Sequence, residues 1–248
     1  MFFYYYDVLY LLLGIIVLPG IILGIVVEAR FKSACAKYNK VFAMQNITGH
    51  EMAEEVLKAY GIDNVKVVKL EKDKEYGDYY DSKHKTLALS EGVYNSSSIT
   101  ALGVAAHEVG HAIQDKEKYG LLRLRSVCGI LSRFGSILLI PLIILGFVFM
   151  FIPTGTAWLS NLCFIVGFAL FGTSVLFALV TLPVELNASK RTEQILVTTG
   201  LLSEEEFEGV KTVLRAAAMT YVASLVTSIL SFARILIYFL IKTKNARD

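Results

Sequence analysis

From Phe134 to Val184 the chain carries no charged residue. Such a stretch has few places to go in water. It breaks at Pro153-Thr154-Gly155-Thr156 into two apolar runs, Phe134 to Ile152 and Ala157 to Leu182. Each is close to the roughly 20 helical residues that cross a hydrocarbon layer about 30 Å thick. A tight helical hairpin is expected, with the uncharged turn on its outer side.

Two further runs follow the same logic. Val8 to Val27 is uncharged and long enough to span. It lacks a basic leader and a small-residue cleavage site, so an anchor is expected and not a cleaved signal. The aromatic cluster Phe2, Phe3, Tyr4, Tyr5 and Tyr6 before it suits an interfacial belt, while Arg30, Lys32, Lys37 and Lys40 follow it. That asymmetry places residue 28 onward in the cytoplasm. Ala216 to Ile241 is the last run, with Arg234 inside it and Lys242, Lys244 and Arg247 behind. It reads either as a fourth span or as a helix on the membrane surface, because crossing would carry those cations outward. A hydrophobic content of 55% agrees with a multi-pass membrane protein. A net charge of +2 gives no basis for nucleic-acid binding. The three cysteines, Cys35, Cys128 and Cys163, fall in no metal-binding or disulfide spacing.

Between Glu28 and Arg125 the composition becomes mixed and globular. Thr48 and Glu51 form a capping box for a helix that runs to about Tyr60 and stops at Gly61. Val65 to Leu70 and Lys85 to Leu89 suggest short strands on either side of a charged, tyrosine-containing loop, Glu71 to Lys85. The second strand could offer an edge to an extended peptide or be an ordinary internal strand. Ser96 to Ser98 supply an N-cap for the next helix, and Leu121 to Arg133 is basic and amphipathic, as at a cytoplasmic interface. Beyond the hairpin, Thr192 to Arg215 is polar, with a second capping box at Ser203 and Glu206.

The chemistry sits on the helix that contains Ala105-Ala106-His107-Glu108-Val109-Gly110-His111-Ala112-Ile113-Gln114. Residues four apart share one face of a helix, so His107 and His111 can hold one metal ion. Glu108 lies about 100° around the axis, where it flanks the ion without ligating it and can accept a proton from a bound water. Burying two imidazoles and a carboxylate in an apolar helix would be costly without a metal. The charges from Asp115 to Lys118 keep this helix out of the bilayer core, which argues against an intramembrane protease.

A catalytic zinc usually takes three protein ligands. The candidates for the third are His50, His84 and Glu185. Glu185 is favoured, because it is the only acidic residue between Lys118 and Arg191 and emerges where the third span meets the interface.

The segment His107 to Gln114, preceded by Tyr80-Asp81 and Leu89-Ser90 and followed after the hairpin by Leu182-Pro183-Val184-Glu185-Leu186-Asn187-Ala188-Ser189, resembles the YugP-like family of bacterial membrane zinc peptidases. The resemblance covers nearly the whole chain. It implies a gluzincin-type site with His107, His111 and Glu185 on zinc and Glu108 as proton carrier, similar to the larger group that includes HtpX and the CAAX-processing proteases. Those carry an aspartate four residues after the ligand glutamate, where this chain has Ser189, with Asn187 nearby. Tyr221, Tyr80, Tyr94 and Arg191 are possible oxyanion donors.

The expected fold is therefore a mainly α membrane protein, with three to four transmembrane helices and a small α+β zincin-like cytoplasmic catalytic domain. Residues 1–27 would form an anchor, 28–126 the catalytic region, 127–182 a transmembrane hairpin, 183–215 a cytoplasmic segment carrying the third ligand, and 216–248 a hydrophobic helix and tail. The expected function is that of a zinc-dependent endopeptidase in the bacterial plasma membrane, facing the cytoplasm and cutting membrane-associated protein or peptide substrates. The alternative is a non-catalytic membrane scaffold with a structural zinc. Oligomeric state is not legible.

Overall fold

Among the described residues of the computed structural model, four helices are long and apolar enough to cross a membrane: Leu11–Tyr38, Gly120–Phe151, Ala157–Thr199 and Glu204–Tyr238. The structure describes residues 8, 11–70, 77–152 and 155–245, without the side chains of 239 and 242–245. The aromatic cluster of residues 2–6, residues 71–76 of the charged loop, Pro153-Thr154 and Arg247 lie outside the described residues.

The elements in order are a 3-10 turn at Gly14–Val17, α1 (Leu18–Tyr38), α2 (Gly49–Ala59), β1 (Lys66–Lys69), β2 (Tyr79–Asp81) and β3 (Thr86–Leu89). There follow α3 (Glu91–Tyr94), α4 (Ile99–Lys116), α5 (Gly120–Phe151), α6 (Ala157–Thr199) and α7 (Glu204–Asn245). The chain divides into two compact units. One comprises Met1–Ile25, Arg123–Leu182 and Tyr221–Asp248, and the other Val26–Leu122 and Pro183–Thr220.

The first unit packs helices through small residues, which let backbones approach closely. A Cβ on Gly135 of α5 would lie 2.9 Å from the Leu170 carbonyl of α6, and one on Gly146 would lie 2.9 Å from the Phe164 ring. Ser132 and Ser174 bond across the same pair at 3.1 Å, and Ser160 donates to the Gly146 carbonyl at 2.8 Å. Phe232 of α7 stacks on Phe168 with ring centroids 4.6 Å apart. Arg234, the cation within the last apolar run, lies against Gly14, whose Cβ would sit 3.4 Å from the guanidinium.

The second unit holds a conventional hydrophobic core. Met52, Ala53, Val56 and Leu57 of α2, Leu87 and Leu89 of β3, and Ile99, Leu102, Ala106 and Val109 of α4 are buried together with Ile195, Leu196, Val210 and Leu214. Burying each large side chain contributes about 1.5–3 kcal/mol relative to exposure. Thr48 and Glu51 make the expected capping box on α2, and Gly61 ends that segment at φ 60°. Ser203 and Glu206 bond reciprocally, with the Ser203 N–H on Glu206 at 2.8 Å and the Glu206 N–H on Ser203 at 3.3 Å.

Two elements differ from the sequence reading. The sheet order is β1-β3-β2, with β1 parallel and β2 antiparallel to β3. The strand at Lys85 to Leu89 is thus central, with both edges occupied, and Leu87, Ala88 and Leu89 are all buried. The strand that occupies its second edge, Tyr79–Asp81, lies in the segment read as loop. It forms because Asp81 caps the hairpin, accepting the N–H groups of Lys83 at 2.8 Å and His84 at 3.1 Å. The second difference is α6, which runs unbroken through Pro183 to Thr199. An internal proline costs about 3 kcal/mol, and the burial of Val184, Ala188, Ile195 and Leu196 on the continuation offsets that loss.

Candidate metal centre

Helix α4 begins where the Ser98 hydroxyl accepts the Ala101 N–H at 3.2 Å. Its apolar residues Ile99, Leu102, Ala105, Ala106 and Val109 are 0% exposed, which fixes the helix rotation. His107 and His111 then share one face, with ring centroids 4.9 Å apart and planes at 82°. Close approach of α6 is set by Gly110, between the two histidines. A Cβ there would lie 2.9 Å from the Ala188 carbonyl. The Thr192 hydroxyl lies within hydrogen-bond distance of two carbonyls, Ala106 of α4 at 3.2 Å and Ala188 of its own helix at 3.0 Å.

That crossing delivers Glu185. Its Oε2 is 3.0 Å from His107 Nε2, and its Oε1 is 3.6 Å from His111 Nε2. One ligand-type atom from each of the three residues lies within 4.8 Å of the others. Zinc bonds of about 2.1 Å in a tetrahedron place ligand atoms roughly 3.4 Å apart, and the two glutamate–histidine separations, 3.0 and 3.6 Å, lie on either side of that value. Glu185 is only 2% exposed, so a carboxylate between two imidazoles sits where a cation would compensate its lost hydration. The donor set, two imidazole nitrogens and a carboxylate, is one that suits zinc. Among the described residues no other group of three such side chains converges in this way.

Glu108 is buried beside this cluster. Burial pushes its carboxyl up to about 7, helped by Glu185 and Asp78 and opposed by His107 and by a hydrogen bond from the Tyr80 backbone. The last contact ties α4 to the edge strand β2. Glu108 therefore sits next to the cluster without belonging to it.

A family described as "Putative neutral zinc metallopeptidase" matches residues 13–240. The chain belongs to this zinc metallopeptidase family. It is 40% identical over 228 residues to "Putative membrane protease YugP" of Bacillus subtilis (strain 168), covering 91% of this chain and 95% of that one. No solved structure matches.

Within this zinc metallopeptidase family member, the other third-ligand candidates lie elsewhere. His50 stacks on Tyr94, with centroids 4.2 Å apart, and faces Glu54 at 3.7 Å. His84 bonds Asp81 at 2.6 Å. Three of the proposed oxyanion donors have other partners. The Tyr80 hydroxyl donates to Asp115 at 2.7 Å, Tyr94 is stacked on His50, and Arg191 bonds Asn187 at 2.8 Å and Glu117 at 2.7 Å. Tyr221 falls in the other unit.

One residue at the site was missed by sequence reasoning. Gln114 is 0% exposed and bonds His111 Nδ1 at 2.9 Å. Its signal was its position three residues after His111 on the same helical face, a polar side chain where the helix should be apolar. Ser189, which takes the place of the related proteases' aspartate, makes no such contact among the described residues.

Proposed function

We propose that this protein is a membrane-anchored, zinc-dependent endopeptidase that hydrolyses peptide bonds of membrane-proximal protein or peptide substrates. The observation that carries the reading is the convergence of His107, His111 and Glu185 within 4.8 Å, with Glu108 buried alongside. His107 and His111 through their Nε2 atoms and Glu185 through its carboxylate would hold the ion. Zinc in this position supplies Lewis acidity, acidifying a water and polarising the scissile carbonyl. Glu108 takes the proton of the attacking water and returns it to the leaving amine, so its charge is restored at the end of the cycle.

Membrane anchoring is supported by the four long apolar helices and by the membrane protease to which the chain is similar. Glu185 follows Leu182, the last residue of its apolar run, by three positions, about 4.5 Å along a helix. Substrates tethered to or embedded in a bilayer would therefore reach the site readily. The cations Arg30, Lys32, Lys37 and Lys40 favour a cytoplasmic site in a bacterial plasma membrane. Residues 28–126 and 183–215 would together form the catalytic part.

The test compares wild type with Glu108→Gln, purified in detergent, for zinc content and for cleavage of a membrane-anchored protein. The expected result is stoichiometric zinc in both and hydrolysis in wild type alone. Wild type with zinc but no hydrolysis of any tethered or soluble polypeptide would favour a structural site. Equal cleavage of soluble and anchored substrates would remove the membrane-proximal specificity.

A further inference from the structure

We propose that Gln114, Asn187 and Arg191 form a hydrogen-bond relay that fixes His111 as its Nδ1–H tautomer and so presents its Nε2 lone pair to the metal. The inference rests on the zinc-site reading above and assigns these residues a positioning role.

Arginine carries only donors. Arg191 Nε donates to Asn187 Oδ1 at 2.8 Å, so the oxygen of that amide faces it. The same oxygen accepts Gln114 Nε2 at 2.8 Å, and the second Gln114 Nε2 hydrogen goes to the Val184 carbonyl at 2.9 Å. Both partners are acceptors without a hydrogen to offer, so the Gln114 amide has a single orientation. Its Oε1 must then face His111 Nδ1, 2.9 Å away. An oxygen there requires Nδ1 to carry the hydrogen, which in the neutral ring leaves Nε2 unprotonated, 3.6 Å from Glu185 Oε1.

The outer end of the relay is held in turn. Glu117 bonds Arg191 at 2.7 Å, which holds the Glu117 carboxyl below its ordinary value. His111 and Gln114 lie on one face of α4 and Glu117 is its C-cap, while Val184, Asn187 and Arg191 lie on α6 on either side of Glu185. Gln114 is fully buried, so no bulk water can substitute for its contacts. The two histidines differ in this respect. His107 Nδ1 is buried with no hydrogen-bond partner among the described residues, whereas His111 Nδ1 is held. Metal-ligating histidines normally donate their second N–H to a carboxylate, carbonyl or water, and loss of that partner weakens metal affinity about 10–100-fold. An amide oxygen backed by an arginine fills that position here.

The experiment uses the full-length protein in detergent, with histidine nitrogens isotopically labelled. Zinc affinity is measured by chelator competition, and the His111 tautomer by nitrogen chemical shifts in chelator-treated protein. Gln114→Met and Asn187→Leu should weaken zinc binding about 10–100-fold, and Gln114→Met should give mixed His111 tautomers. Asn187→Asp keeps an acceptor for both donors and should restore wild-type affinity. Circular dichroism melting separates these effects from unfolding; if Gln114→Met does not fold, the contrast between Asn187→Leu and Asn187→Asp decides. A folded Gln114→Met with wild-type affinity and an unmixed Nδ1–H tautomer overturns the relay. So do equal affinities for the two Asn187 variants. Wild type that binds no zinc would refute the ligand assignment instead, and the relay would still stand or fall on whether His111 rests as Nδ1–H.

Discussion

Gly110→Ala offers a test in which helix propensity and packing predict opposite signs. Glycine inside a helix costs about 1 kcal/mol relative to alanine, so propensity alone predicts stabilisation. The added Cβ, however, would meet the Ala188 carbonyl oxygen at 2.9 Å and Thr192 Oγ1 at 3.2 Å. Ordinary contact begins at 3.4 Å, so α6 must retreat by about 0.5 Å, and forcing a methyl into a packed interface costs about 1–3 kcal/mol. Net destabilisation of about 1 kcal/mol is expected after the propensity gain. Ala188 lies one turn beyond Glu185, so the same retreat moves the third ligand by about the 0.5 Å that site geometry tolerates. If about 1.4 kcal/mol of this strain is felt at the ligands, zinc affinity falls about tenfold. The control is Gly92→Ala, on an exposed glycine of α3 whose Cβ would meet nothing within 4 Å. Melting in detergent and chelator competition should rank the control at or above wild type and Gly110→Ala below it in both. A Gly110→Ala protein that melts higher and binds zinc as tightly as wild type would refute the argument that this glycine sets the helix separation.

Two further substitutions probe other contacts. Glu185→Ala should lose stoichiometric zinc while the helix content by circular dichroism is retained; zinc retained at one per chain would refute its place as third ligand. Asp115→Ala removes the acceptor shared by the Tyr80 hydroxyl and the Lys85 ammonium, which tie the hairpin to α4. A loss of about 1–3 kcal/mol is expected, visible as a lower melting temperature, and Asp115→Asn should recover part of it by restoring an acceptor.

What the sequence made legible follows from how local each signal is. Apolar runs, capping boxes and the i, i+4 histidine pair are properties of one segment, and Thr48, Ser98, Ser203, His107 and His111 all stand where local rules put them. Glu185 was legible for a different reason, as a lone carboxylate in a long uncharged stretch, where burial without a purpose is costly. The edge strand Tyr79–Asp81 was obscured, because its polar residues and the charges before it resemble a loop, and only pairing with Ala88, Leu87 and Thr86 makes it a strand. The unbroken course of α6 was hidden too, since the penalty at Pro183 is local while the burial that offsets it comes from contacts distant in sequence.

The roles of Gln114 and Arg191 belong to the same class of non-local information. A buried glutamine three residues after a histidine can serve many purposes. Its meaning here depends on which way its amide points, and that depends on Asn187, some 73 positions away, and beyond it on an arginine. A buried carboxylate is one way to orient a ligand histidine. In this chain the charge sits at the far end, on the exposed Glu117, and two neutral amides carry its effect inward. Such an arrangement places less negative charge beside Glu108, whose carboxyl Glu185 and Asp78 already push upward. Ser189→Asp would then be a different perturbation from Asn187→Asp. The second would inherit the Arg191 contact already in place, whereas the first would put its carboxylate at a position that is no part of that contact.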